Sequence, residues 1–263
     1  FEVRIGDTIM YFTLSEEQEM LKKVARDFLA AECPKRLVGE MEEDERGFSL
    51  DLWEKMAGLG WLGLVLPEKY GGAGASFFNL VILIEEMGRV CLSSPFSSTV
   101  LGGMIISDIG SEEQKQRFLP EVSRGETIIS LALTELTSRY NPAAIATEAV
   151  LNGDSYIING AKSFASYAHI ANLIICGAMT KRQVPPENGV TLFLVDDRTK
   201  GINYILLNTM VGDRKYKVVF DKVNVPKEYM LGELNQGWSE VKRILQWATV
   251  AQCAEMVGGA QQV

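Results

Sequence analysis

The sequence predicts an α+β protein: an N-terminal all-α helical domain, a middle antiparallel β-domain, and the beginning of a C-terminal helical bundle. Three observations predict it. Apolar residues recur with a helical period from Leu14 onward, the period becomes two from about Glu126, and helical spacing returns at Ser239. The boundaries this implies are residues 10–125, 126–236 and 237–263. A chain of 263 residues with 47% hydrophobic content can bury one large core or two ordinary ones.

The first nine residues, FEVRIGDTI, precede a Met-Tyr-Phe that would be a natural start, and they carry no weight in the prediction. Ser15 followed by Glu16, Glu17 and Glu19 is a helix-start signal, with acids in the first turn. Met20, Leu21, Val24, Phe28 and Leu29 then give that helix one apolar face. A second helix fits residues 49–61, capped by Ser49 and ended near Gly58 to Gly60. The stretch LPEKYGGAGAS is a turn-rich link, and its glycines lack the spacing and the preceding strand of a dinucleotide-binding loop. FFNLVILIEEMGRVC is more uniformly apolar and is expected to be central, and FSSTVLGGMIISDIG is a helix rich in small residues. SEEQKQRFLPEVSRGE opens on a serine cap and closes its helix before Pro120 or soon after it.

Seven short runs follow: TIISLALT, ATEAVLN, SYIING, LIICGAM, GVTLFLVD, INYILLN and YKVVFDKV. They are rich in β-branched residues and bounded by Gly, Asn, Asp and Pro, which describes an antiparallel sheet package. NGDSY is a turn between two of them. In the last segment, Val241, Ile244, Leu245, Ala248 and Ala251 fall on one side of a helix that needs partners for so apolar a face.

The formal charge of −8, a pI near 4.9 and the absence of any Lys/Arg stripe exclude nucleic acid as a partner on electrostatic grounds. The four cysteines are far apart, without zinc-site spacing, which fits buried thiols in a reducing compartment. The single histidine, His169, reads as a strand-edge or surface residue and leaves no second imidazole for a His-based zinc cluster. No segment has the apolar length of a membrane span or the pattern of a secretory signal, so a soluble intracellular protein is expected.

The phrases LPEKYGGAG, FLPEVSRGE, LTE at a strand end, GDSYIINGAKSF, VVFDKVNVPKEYMLGE, GW and CAEMVGGAQ occur here in one order and spacing. In that order they resemble the acyl-CoA dehydrogenase family over essentially the whole length from Met10. The resemblance implies FAD held between the β-domain and the helices after it, and α,β-dehydrogenation of an acyl-CoA thioester. It also implies electron transfer to an electron-transferring flavoprotein or similar acceptor. A homo- or hetero-oligomer is implied, with a tetramer expected from the family, in the cytoplasm or, in a eukaryote, the mitochondrial matrix. By the same resemblance, backbone groups near Leu131 and Leu133 and the Thr134 hydroxyl match flavin-contacting positions. Phe164, Ala165 and Ser166 match an aromatic, an aliphatic and a threonine packed on the ring. The loop after Glu135, with Tyr140, approaches the pyrophosphate and the CoA ester, while Gln246, Trp247 and Thr249 of the last helix join residues 77–104 around the acyl group. Gly102 and Gly103 offer either room for a bulky acyl group or close helix packing.

The sequence also departs from the family's pattern. Leu136 replaces a proline, and residues 137–140 replace small residues with large ones. Most family members carry the catalytic carboxylate beyond the position of Val263, and a minority carry it where this chain has Ala248. Glu240 and Glu255 match neither and read as surface or interhelical carboxylates, and Thr249 stands where many relatives have an arginine. The expected function is therefore FAD-dependent dehydrogenation with the base supplied from outside these residues. The alternatives are a flavin- or CoA-binding subunit of a heteromeric dehydrogenase without its own base, and a non-catalytic scaffold of the same fold.

Overall fold

The helical part begins where Ser15 predicts it. The computed structural model describes the backbone of residues 2–5 and 8–11 and the whole of residues 13–136, 141–182 and 185–263. In it the Gln18 N–H donates to Ser15 Oγ at 3.2 Å and the Ser15 N–H donates to Gln18 Oε1 at 3.0 Å, a reciprocal cap that starts helix α1 (Glu16–Glu32). Ahead of it the residues set aside, together with Met10 and Tyr11, contribute a hairpin, β1 (Glu2–Ile5) paired antiparallel with β2 (Thr8–Tyr11). Helix α2 (Lys35–Glu43) was not expected: it follows Pro34 without a side-chain cap, and its apolar face, Leu37 and Val38, is short and only partly buried against the core. Helix α3 (Leu50–Gly58) is capped by Ser49 and ends at Gly58, both as read from the sequence.

Helix α4 (Phe77–Arg89) is central: Leu80, Ile82, Leu83, Ile84, Glu86 and Met87 are all buried. The buried Glu86 carboxylate is met by a two-pronged Arg26 guanidinium at 2.9 and 2.7 Å, which satisfies a charge that would otherwise be costly there. Helix α5 (Phe96–Ile109) buries Gly102 and Gly103 with the rest of its apolar length. Helix α6 (Glu112–Ser123) has the predicted serine cap and runs past Pro120 by one turn.

The β part is one sheet of eight strands: β3 (Ile129–Ala132), β4 (Glu148–Asn152), β5 (Ser155–Ser166), β6 (Leu173–Met179), β7 (Val190–Asp196), β8 (Ile202–Leu207), β9 (Lys215–Pro226) and β10 (Met230–Leu231). The order is β10-β7-β6-β4-β5-β9-β8, with β3 beside β6. The sheet is mixed: β3 pairs parallel with β6 in the register Ile129↔Leu173 to Ala132↔Cys176, and β4 touches β6 in parallel at Glu148↔Met179. Alternation within a strand is blind to partner direction, and β3 bonds a strand that follows it only after the whole β4–β5 hairpin. Every residue of β6 and all but one of β7 are buried, so these strands read as unbroken apolar runs.

Helix α7 (Gly237–Gln262) lies across α4, and two glycines fix the crossing. A Cβ on Gly88 would stand 2.1 Å from the Glu255 carbonyl oxygen, and one on Gly258 would stand 1.8 Å from that of Glu85. Backbone touches backbone here, an approach that any larger side chain forbids. No helix among the described residues is long and apolar enough to cross a membrane.

Candidate functional site

Strand β5 does not keep its alternation to the end. Its register against β9 shifts between Lys162 and Ala165, and within this bulge Phe164 takes φ +61°. Left-handed backbone costs a bulky residue about 1–3 kcal/mol, a strain typical of sites where the side chain's direction matters. Here Ala165 turns fully inward while the Phe164 ring is left 51% exposed.

That ring faces a cleft of about 550 Å³ between the sheet and the helices. Leu131 of β3, Phe164 and Ser166 of β5 and Lys215 of β9 form one wall; Ile84 and Met87 of α4 with Ala248, Ala251, Gln252 and Glu255 of α7 form another; Phe96 and Leu101 of α5 contribute a third. The size lies within the range of small-molecule sites. Tyr167, also at positive φ, closes one side, sharing a 2.8 Å hydrogen bond with Ser93.

Polar groups gather where β5 ends and β9 begins. Lys215 Nζ donates to Ser166 Oγ at 2.6 Å, and Ser130 Oγ donates to the Ser166 carbonyl at 2.7 Å. Asp213 Oδ2 lies 3.5 Å from Lys215 Nζ. Across the cleft, burial raises the Glu255 pKa above the ordinary carboxylate value, with Lys215 opposing the shift. A planar aromatic ring with acceptor atoms along one edge fits this arrangement: an exposed phenyl and a leucine to cover it, a hydroxyl and an ammonium at its margin.

Just outside the cleft, β3 ends in a polar clasp. The Ser163 N–H donates to the Thr134 carbonyl at 2.8 Å. Glu135 accepts from Lys162 Nζ at 2.8 Å and from the Ala146 and Thr147 N–H groups at 2.8 and 3.0 Å. Burial alone would raise the Glu135 pKa, but the lysine and the two amides outweigh it and hold the carboxyl below its usual range.

Of the residues named from sequence, Leu131, Phe164 and Ser166 meet on one wall. Leu133 packs into the core and Ala165 is fully buried, so neither side chain lines the cleft. Tyr140 lies outside the described residues. Gln246, Trp247 and Thr249 also fall outside the cleft: Trp247 packs against Phe77 at 6.4 Å, the Thr249 hydroxyl donates to its own helix at Leu245 O, and Gln246 is exposed. The reason is helical phase, since Ala248, Ala251, Gln252 and Glu255 share the inward stripe and each neighbouring residue turns about 100° away. Gly102 and Gly103 do not make room for a ligand: added Cβ atoms would meet Ile129 at 2.5 Å and Leu66 and Val122 at 3.3 Å.

Glu240 pairs with Arg243, as a helix-surface carboxylate does, whereas Glu255, read the same way from sequence, is on the cleft wall. Lys215 and Asp213 were missed altogether, because DRKYK ahead of an apolar strand looks like a solvated strand end. His169 hydrogen-bonds the Glu45 carbonyl at 3.0 Å and stacks on Tyr216, remote from nucleophilic chemistry. Among the described residues no group of His, Cys, Asp and Glu could hold a metal ion.

Comparison with known proteins agrees with this architecture. The family model described as acyl-CoA dehydrogenase, N-terminal domain, matches residues 15–126, and that described as acyl-CoA dehydrogenase, middle domain, matches residues 130–223. The short-chain specific acyl-CoA dehydrogenase of Clostridium acetobutylicum is 31% identical over 96% of this chain and 67% of its own length. The caffeyl-CoA reductase-Etf complex subunit CarC of Acetobacterium woodii is also 31% identical, with the same coverage of both chains. The crystal structure of an acyl-CoA dehydrogenase from Geobacillus kaustophilus superposes with a TM-score of 0.86 at 30% identity, over 96% of this chain and 68% of that one. This chain thus spans about two thirds of the length of these relatives.

Proposed function

The chain belongs to the acyl-CoA dehydrogenase family of flavin-dependent oxidoreductases, and from that premise we propose that it binds FAD and carries out α,β-dehydrogenation of an acyl-CoA thioester. The observation that carries this reading is the common wall of Leu131, the strained and exposed Phe164, and Ser166, set opposite the helical wall of α4 and α7. FAD, when bound, supplies the acceptor for the hydride leaving the β-carbon.

The chain's own residues do the holding. Phe164 and Leu131 cover the ring and keep water from it, while Ser166 donates a hydrogen bond to its edge. The small side chains of Ala248 and Ala251 leave width for an acyl group between ring and helix. The α-proton requires a carboxylate, and Ala248 occupies the α7 position where a minority of the family carries one. We assign that base to residues outside positions 1–263, on the same polypeptide or on a partner subunit. Residues 10–125, 126–236 and 237–263 serve as the helical, β and initial C-terminal units. An electron-transferring flavoprotein or similar acceptor takes the electrons, in an oligomer located in the cytoplasm or the mitochondrial matrix.

The native protein, purified and scanned for flavin absorbance, tests this reading. A yellow protein that bleaches when an acyl-CoA is added supports it. A yellow protein that bleaches only after a second subunit is supplied places the base on a partner. A colourless protein that refuses added FAD sinks the proposal.

A further inference from the structure

We propose that Lys215 is a positioning residue for the flavin: it fixes the Ser166 hydroxyl as a donor into the cleft and sets a positive charge beside the ring edge that accepts hydride. The inference rests on the FAD reading above and concerns two residues whose relation is already set in the sheet. Ser166 and Lys215 are cross-strand partners in the β5–β9 register, immediately after the bulge that aims Phe164 at the cleft. Their side chains meet with 2.6 Å between Nζ and Oγ.

The direction of that bond follows from chemistry. An ammonium group has protons and no lone pair, so Ser166 Oγ must accept. The serine's single proton cannot then point at Lys215. Its backbone carbonyl is separately engaged by Ser130 Oγ, which holds the serine's main chain in place. The hydroxyl proton is thereby left for an acceptor in the cleft. An unassisted serine hydroxyl could rotate to accept as readily as to donate; with Lys215 on its oxygen it is set to donate.

The lysine's charge acts independently of the hydroxyl. The groups facing it are Asp213, 3.5 Å away on the same strand approach, and Glu255 across the cleft on α7, whose pKa burial raises. Asp213 also accepts from the Thr209 hydroxyl. Neighbouring Arg214 points elsewhere, donating to the Glu42 and Asp44 carbonyls. A cation at the ring's edge stabilises the electron-rich reduced ring more than the oxidised one, which raises the reduction potential.

Spectroelectrochemical titration of the flavin-loaded protein tests this. Lys215→Met is expected to retain flavin and to lower the two-electron potential by about 30 mV or more, a tenfold change in the reduction equilibrium. Lys215→Arg keeps charge and donors and is expected to restore most of the potential. Asp213→Asn removes the opposing anion and is expected to raise it. A Lys215→Met protein with the wild-type potential overturns the proposal. Should that variant bind no flavin, Asp213→Asn decides: a raised potential supports the role of Lys215, and an unchanged one overturns it. A wild-type protein that takes up no flavin overturns the FAD reading itself, and this proposal with it.

Discussion

Glu135 and Lys162 form an ion pair, 2.8 Å between Oε1 and Nζ, with side chains only 6% and 0% exposed. It ties the end of β3 to β5 one residue before the bulge begins. A buried pair adds modestly to net stability when intact, but its loss on one side leaves an uncompensated charge. Lys162→Met is therefore expected to cost about 3–5 kcal/mol, and the Glu135→Gln, Lys162→Met double variant markedly less. Urea unfolding of the two variants measures the difference.

The same pair predicts an acid limb. The Glu135 pKa is depressed in the folded protein, so its contribution is present above the unfolded value of about 4.3 and lost as pH falls through the folded value. Between neutral pH and strong acid, wild type should lose more stability than Glu135→Gln. Parallel slopes in unfolding free energy across that range would count against a depressed Glu135.

Phe164 occupies backbone that glycine adopts freely. Phe164→Gly is expected to leave stability within about 1 kcal/mol of wild type, relief of strain offsetting the lost apolar contact of an already exposed ring. Flavin retention, measured as bound flavin per chain after gel filtration, is expected to fall severalfold. Unaltered retention would remove Phe164 from the flavin's surroundings.

At the crossing of α4 and α7, Gly88→Ala drives a methyl group into the Glu255 carbonyl. Backbone cannot yield as a flexible side chain can, so the helices must separate, at a cost of about 1–3 kcal/mol or more. Thermal unfolding of Gly88→Ala beside Gly39→Ala, where nothing lies within 4 Å, separates this clash from any general effect of the added methyl.

Glu255 gives the opposite pH signature to Glu135. Its raised pKa means that its contribution is fully present below about 4.3 and is lost as pH rises through the folded value. Glu255→Gln is thus expected to unfold at a higher denaturant concentration than wild type at neutral pH and to show no such advantage in acid.

Much of this was legible from the sequence where a local signal exists. Ser15, Ser49 and Ser111 cap helices as their neighbours announce, and the apolar runs of β6 and β7 could hardly be anything but buried strands. Leu131, Phe164 and Ser166, which share one wall of the cleft, were named through the phrases that carry the family resemblance. What escaped depends on distant partners. Helix α2 buries no residue, and the parallel seat of β3 is decided by β6 rather than by anything within β3. Lys215 acquires meaning only from Ser166 beside it, and α7 presents Ala248 and Glu255, rather than Gln246, Trp247 and Thr249, only because Gly88 and Gly258 fix its rotation.

The parallel seat of β3 also sets an order of assembly. Leu131 cannot reach its place until β6 exists to receive it, and along the chain the whole β4–β5 hairpin separates the two strands. Such long-range pairing pays its loop-closure entropy before any contact rewards it, so this corner of the sheet closes late. A refolding chain would recover its helical signal first and the cleft wall that carries Leu131 last, which makes closure of that wall a clock for the final step of folding.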